Sequence, residues 1–236
     1  MIKKRLFSVV YMFVLTFFFT AAVSGIHEIN QERIKINEAI KLQRVILEVF
    51  GIDVGPRAPV VQVGEIFEAR VKLEKREGRT LYRGFAEDGK TLIGYAFPIF
   101  GPGFWGPIYG MIAVDPGLGE VIGIAFYQHS ETPGLGGRIT EAWFKEQFAG
   151  KRLPAVGKDQ RYFLLVPPGT SKAENELDAI TGATMTSRAV ERFIDKNLKD
   201  YLPWIAREKA TERIQETHFA DVPRSKGKRS IQCEAQ

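Results

Sequence analysis

Between residues 178 and 187 the chain reads DAITGATMTS, an acidic residue followed by three threonines and a serine around one glycine. A helical pattern starts directly afterwards, so Thr181, Gly182, Ala183 and Thr184 stand at a helix entrance. Free N–H groups and the helix dipole favour an anion at such a place. Gly182 lets a bulky group approach, and Ala183 adds almost nothing to crowd it. The Thr184 hydroxyl can donate a hydrogen bond to a phosphate or be esterified by one. Asp178 repels a phosphate, so it suits a recognition element or a partner for a cation better than a phosphate cradle. The competing reading makes Thr186 or Ser187 the helix N-cap and leaves the other hydroxyls solvated on a Thr-Gly turn.

A second stretch, ETPGLGG at 131 to 137, combines a pre-proline threonine with a turn. Thr132 is held extended by Pro133. Pro133-Gly134 signals a type II turn, and Gly136-Gly137 keeps the backbone bare. Such a loop can lay peptide planes along a flat ring, with Glu131 turned inward or capping the loop. Taken alone it also fits an ordinary hairpin connection. Occurring with the hydroxyl cluster about fifty residues later, it points to one site built from both.

The elements that must position these stretches follow from periodicity and breakers. Residues 6 to 26 carry no charge after Lys3-Lys4-Arg5, enough for a helix across a bilayer of roughly 20 residues. The basic residues stay cytoplasmic, which sends the rest of the chain outward into the periplasmic or other extracytoplasmic space. The small residues Ala21 to Gly25 also fit a cleaved signal peptide, but the apolar run is longer than a usual signal core, which favours a retained anchor. Residues 27 to 59 read as a helical connector ended by Gly51 and the loop prolines. Short strands are expected at Gly64 to Leu73, Thr80 to Phe85 and Thr91 to Phe97, with an Asp88-Gly89 turn between the last two, then at Met111 to Val114 and Val121 to Gln128. A short helix over 140 to 149, a strand from Arg161 to Val166 and a final helix from Ser187 to Leu202 complete an α+β domain over residues 60 to 202. Residues 203 to 236 read as a polar, then basic tail, its last fifteen or so residues disordered.

Composition removes several function classes. The 236 residues are 44% hydrophobic and 26% charged, with a formal charge of +5, as suits one domain with accessory segments. Basic residues gather at the two ends, not along an aromatic-laced stripe, which excludes a nucleic-acid reader. One cysteine and three scattered histidines offer no metal-ligand spacing, so redox chemistry needs an organic cofactor.

The pieces GFWGPIYGMIAVD at 103 to 115, VIGIAFYQHSETPGLGGRI at 121 to 139, WFKEQFAGKRL at 143 to 153 and DAITGATMTS stand in one order and spacing. In that arrangement the chain resembles the FMN-binding domain family, particularly two membrane-anchored members, the G-type protein of the Rnf complex and the C-type protein of the sodium-translocating NADH:quinone oxidoreductase. The resemblance implies FMN bound covalently, its phosphate esterified to Thr184 by a separate flavin transferase that uses FAD. It implies that Asp178 belongs to the sequence which that transferase recognises, and that Thr181, Gly182 and Ala183 line the phosphate end. Glu131, Thr132, Pro133, Gly134, Leu135 and Gly136 would lie near the flavin ring, with Trp105 packed beside it. The implied activity is electron relay among other membrane subunits of an Rnf- or Nqr-type complex. GFWGPIYG leans toward the sodium-pump protein and TGATMTSRAV toward the Rnf protein, so the parent system stays open. Residues 53 to 93 match weakly, and the basic tail matches no motif. A free-standing extracytoplasmic FMN-dependent reductase is the alternative, with His129 and Arg138 as its candidate acid or base.

Overall fold

The computed structural model describes residues 2–55, 57–155, 157 and 160–220. Helix α1 (Ile2–Val49) is continuous over 48 residues. Its apolar stretch reaches a mean hydropathy of 2.2 over 18 residues, none of it buried, so it is long and apolar enough to cross a membrane. The helix ends where expected. Gly51 takes φ 71°, its N–H donates to Glu48 O at 2.9 Å, and Ile52 N–H donates to Leu47 O at 2.9 Å. That crossed pair is a Schellman stop, which a glycine enters without a Cβ penalty.

The first expected strand is corrected. Residues Val60–Arg70 form helix α2, and β1 occupies only Val71–Arg76. Pro59 opens the helix at φ −57°, and Val63, Ile66 and Phe67 recur at helical spacing to pack against the end of α1. Strands β2 (Arg79–Phe85), β3 (Leu92–Pro102), β4 (Pro107–Val114) and β5 (Val121–Gln128) complete an antiparallel meander in chain order. The expected Asp88-Gly89 turn is present, its carboxylate accepting from the N–H groups of Lys90 and Thr91, both at 2.9 Å.

The sheet is covered on both faces, which is why its central strands read as nearly unbroken apolar runs. Tyr95, Phe97, Ile99, Ile108, Ile112 and Val114 join the larger core. Ala96, Met111, Ala113 and Ala125 point the other way, against the last turns of α1 and α2. Small residues on this second face admit α1 closely. A Cβ on Gly123 would stand 2.8 Å from Val49 O.

The larger core is closed by α3 (Ala142–Glu146), by the parallel pair β6 (Leu164–Val166) and β7 (Glu176–Asp178), and by α4 (Thr184–Ala220). Helix α3 is shorter than expected at both ends, because residues Gly136–Thr140 form a 3-10 turn and residues 147–150 close as turns onto Gly150 at φ 74°. Strand β6 starts later than Arg161, and β7 carries no alternation that sequence reading could find. The largest difference is α4, which begins three residues before Ser187 and runs through Pro203 instead of stopping at Leu202. An interior proline costs about 3 kcal/mol. Here Trp204 and Ile205 are buried just beyond it, and the extension lies along the β1–β2 hairpin. Glu208 pairs with Arg76 at 2.9 Å, and Glu212 with Arg83 at 2.5 Å. Residues 221–236, where the disordered tail was expected, lie outside the described residues.

The close approach of α1 yields a test. Gly123→Val should destabilise the full chain in detergent by roughly 1–3 kcal/mol through overpacking against the Val49 backbone. Denaturant unfolding followed by tryptophan fluorescence would measure it, and an unchanged midpoint would show that α1 does not seat there.

Candidate functional site

Both quoted motifs fold as glycine turns, and the two turns touch. In the first, Leu135 N–H donates to Thr132 O at 3.1 Å, with Gly134 at φ 74°, as Pro133-Gly134 requires. In the second, Ala183 N–H donates to Ile180 O at 3.0 Å, with Gly182 at φ 76°. Leu135 lies over Gly182, where a Cβ would come within 3.1 Å of its side chain.

A third segment, the β3–β4 tip, is held to these turns by one carboxylate. Glu131 is turned inward and only 4% exposed. Its Oε1 accepts from the backbone N–H of Phe104 at 2.8 Å and of Trp105 at 3.0 Å. Its Oε2 accepts from the Thr186 hydroxyl at 2.5 Å. A buried carboxylate is tolerated only when its lone pairs are met, and here three donors meet them. Glycines make the fit possible. A Cβ on Gly103 would stand 2.5 Å from Oε1, and one on Gly136 would stand 2.5 Å from the Thr186 oxygen.

The capping alternative for Thr186 and Ser187 is thereby corrected. Both are buried inside the first turns of α4, and the Ser187 hydroxyl accepts from Ile180 N–H at 3.0 Å, pinning the second turn. The first backbone bond of the helix runs from Ser187 N to Ala183 O at 2.9 Å. Ahead of it the N–H groups of Thr184, Met185 and Thr186 have no backbone acceptor among the described residues.

Between the three segments lies a pocket of about 350 Å³. Of the residues picked from sequence, Thr184, Gly182, Ala183, Glu131, Thr132, Leu135, Gly136 and Trp105 line it. Pro133 and Gly134 build the adjoining turn without lining the pocket, and Thr181 is exposed on the other turn. Asp178 lies on β7, away from the lining. Its carboxylate accepts from Gly169 N–H at 3.0 Å, and its own N–H donates to Gln147 at 2.7 Å. Phe104, Met185 and Thr186 line the pocket and were not picked. A buried glutamate in a glycine loop signals that donors must come from elsewhere, but not which ones. His129 and Arg138 are engaged outside the pocket. His129 Nδ1 accepts from Glu131 N–H at 3.2 Å, and Arg138 pairs with Glu141 at 3.0 Å. The Trp143 indole N–H, and after it Arg138, hold that Glu141 carboxyl below its ordinary value.

The pocket offers free amides and a positive helix end to an anion, an exposed hydroxyl beside them, and Phe104, Trp105, Leu135 and Met185 to an apolar ring. A flavin mononucleotide has this combination of parts. Residues 103–199 match the FMN-binding domain family. They form an FMN-binding domain.

The chain is 36% identical over 127 residues to the C subunit of the Na(+)-translocating NADH-quinone reductase of Pseudomonas aeruginosa, covering 52% of this chain and 48% of that protein. Against the C subunit of the Pasteurella multocida reductase the identity is 40% over 116 residues, covering 48% and 44%. The chain thus spans about half the length of the curated relatives it matches. The crystal structure of the C subunit from Parabacteroides distasonis superposes with a TM-score of 0.60 at 25% identity, covering 73% of this chain and 94% of that one. That of Shewanella oneidensis NqrC gives 0.59 at 24% identity, covering 69% and 91%, a likeness of fold.

The glutamate clamp separates the roles of two hydroxyls. Thr186→Val should lose about 1–3 kcal/mol of stability, because it leaves a buried carboxylate oxygen short of a donor. Thr181→Val, on the exposed turn, should stay within about 0.5 kcal/mol of the parent. Equal midpoints for the two variants in chemical denaturation would refute the clamp.

Proposed function

We propose that this chain is a membrane-anchored electron carrier holding FMN through a phosphoester to Thr184. The observation that carries the reading is the position of that hydroxyl. Thr184 is the first residue of α4, exposed on the pocket lining, beside amides with no backbone acceptor among the described residues. Met185 neighbours it on the same lining, while Thr186 is occupied by Glu131 and Thr181 faces outward. Thr184 is therefore the one threonine of the three that is both accessible and aimed at the site.

The bond is made by a flavin transferase with FAD as donor. The Thr184 oxygen attacks the phosphorus on the FMN side of the pyrophosphate, AMP leaves, and the hydroxyl proton is lost. A threonine hydroxyl is a weak nucleophile unaided, which is why an external catalyst is required. Asp178 serves recognition in that step. Bound flavin supplies two-electron acceptance and one-electron release. The chain's own part is mechanical and electrostatic. The α4 amides and dipole hold the phosphate, Gly182 and Ala183 leave it room, and Phe104, Trp105 and Leu135 flank the ring and limit water. Permanent attachment keeps the flavin in place where no free pool replaces it.

Lys3-Lys4-Arg5 precede the apolar stretch of α1, and the tendency of such residues to stay cytoplasmic supports an extracytoplasmic domain at the plasma membrane. The named relatives are subunits of a sodium-translocating NADH-quinone reductase. By that likeness the partners are the other membrane subunits of an Nqr-type complex, with an Rnf-type complex as the related case. Engagement of His129 and Arg138 by Glu131 and Glu141 weighs against a separate small-molecule reductase.

Expressed with a flavin transferase, the protein should show yellow in-gel fluorescence after denaturing electrophoresis. Thr184→Ala should abolish it, and a fluorescent Thr184→Ala band would place the linkage elsewhere. Asp178→Ala should reduce loading severalfold while the unfolding midpoint moves by roughly 1 kcal/mol or less, the worth of its bond to Gly169. Full loading would remove its recognition role.

A further inference from the structure

A groove of about 790 Å³ runs along the side of the domain next to the pocket, between the end of β3 and one flank of α4. Its apolar floor is open to solvent, with Phe100 60% exposed, Phe104 53% and Trp105 65%. Single exposed apolar side chains are ordinary, but three large aromatics in one groove mark a contact surface. Arg192 and Lys196 line the other side, four residues apart on α4, with exposed Arg188 one turn earlier. No carboxylate lines the groove among the described residues. The neighbouring acids Glu191 and Asp195 are taken by Arg161 and Lys199, so the positive row is uncompensated among the described residues.

The backbone here is closed to an added strand. Pairing of β2 with β3 stops at Tyr82↔Ala96, leaving the end of β3 as an edge. Pro98 and Pro102 on that edge have no N–H, and Asn197 Nδ2 donates to Phe100 O at 3.0 Å. A partner must therefore be held by side chains.

Direction along the fold says where that partner stands. Helix α1 lies antiparallel to β5, with Val49 against Gly123 and Lys41 Nζ donating to Tyr127 O at 2.5 Å. Its apolar half thus leaves the domain at the end where β5 finishes, which is also the end of the pocket and the β3–β4 tip. Helix α4 starts there and runs away from it, past Gly101 with Phe193 and past Phe97 with Tyr201. At about 1.5 Å per residue, Lys196 lies roughly 18 Å beyond Thr184. Lipid charge fades within about 8 Å of the surface, so a bilayer under the tip cannot hold the whole row. A protein rising out of the bilayer can.

We propose that this groove docks the acidic, water-exposed flank of a membrane-embedded protein. Its apolar side chains seat against Phe100 and Trp105, and its carboxylates pair with Arg192 and Lys196. Trp105 lines both hollows, so the docked flank lies over the mouth of the pocket. The purpose of the contact, electron passage, rests on the flavin-carrier reading; the surface itself does not.

The test uses the full chain in native membranes, with p-benzoylphenylalanine at position 100. Photolysis should link it to a multi-span membrane protein, identified by mass spectrometry, through a peptide rich in Asp and Glu. Yield should fall roughly tenfold in Arg192→Glu with Lys196→Glu, and similarly at about 0.5 M salt. It should persist in Arg192→Lys with Lys196→Arg, which keeps the charge. In-gel flavin fluorescence should be equal in all these variants, which separates a lost contact from a lost cofactor. Links to lipid alone, to a second copy of this chain, or to a partner indifferent to charge reversal would overturn the proposal. A dark flavin band already in the parent would instead remove the carrier reading, with the cross-links still deciding the surface.

Discussion

Two stretches of chain, one 26 positions before Glu131 and one 55 after it, meet on the two oxygens of that residue. Moving a carboxylate out of water is expensive, and each of its donors would be costly if left unpaired. The balance closes only when the β3–β4 tip, the loop after β5 and the first turn of α4 are all in place. This explains why GFWG, ETPGLGG and TGATMTS occur as a set. Each supplies one part of a single polar cluster, and the two glycines nearest the carboxylate clear space for its partners. The pocket is what remains between three loops tied at one point.

That tie needs rigid supports behind it, and the sheet provides them. Strands β3, β4 and β5 carry Phe, Ile and Val side chains toward α3 and α4, and toward α1 and α2 a mixture in which Ala96, Ala113 and Ala125 are small. Glycines set the closest approach on each face. Gly123 lets α1 lie nearly on the strands, and on the other face Gly101 lets α4 approach the end of β3, where a Cβ would stand 2.3 Å from Phe193. Toward its tip the β3–β4 hairpin leaves this cover, and there the register of Phe100 with Tyr109 and of Pro102 with Pro107 carries it out to Phe104-Trp105.

The central strands, both glycine turns and the helix entrance were legible in the sequence because their signals are local. Val121–Gln128 shows a plain apolar run, and Pro133-Gly134 can hardly form another turn. Helix α2 was misread as part of a strand from Gly64 to Leu73, because the packing of Val63, Ile66 and Phe67 against α1 is a tertiary fact. Helix α4 was cut short at Pro203 because a proline is a local stop signal, whereas ion pairs to Arg76 and Arg83 come from residues more than a hundred positions away. The link from Glu131 to Thr186 was hidden for the same reason. A glutamate expected inward or capping its loop and a threonine expected as a helix cap are each other's partners.

Helix α1 carries no break between its apolar stretch and the turns packed on β5, and its glycine stop comes only after the domain has been reached. Bilayer and domain therefore share one rod, and the rod has a phase. Each residue of an α-helix advances about 1.5 Å and turns about 100°. A single residue gained or lost between Ile26 and Leu42 would thus swing the whole domain by about 100°, a little over a quarter of a revolution, around its axis. The compass heading of the groove over the membrane is written into the length of that stretch.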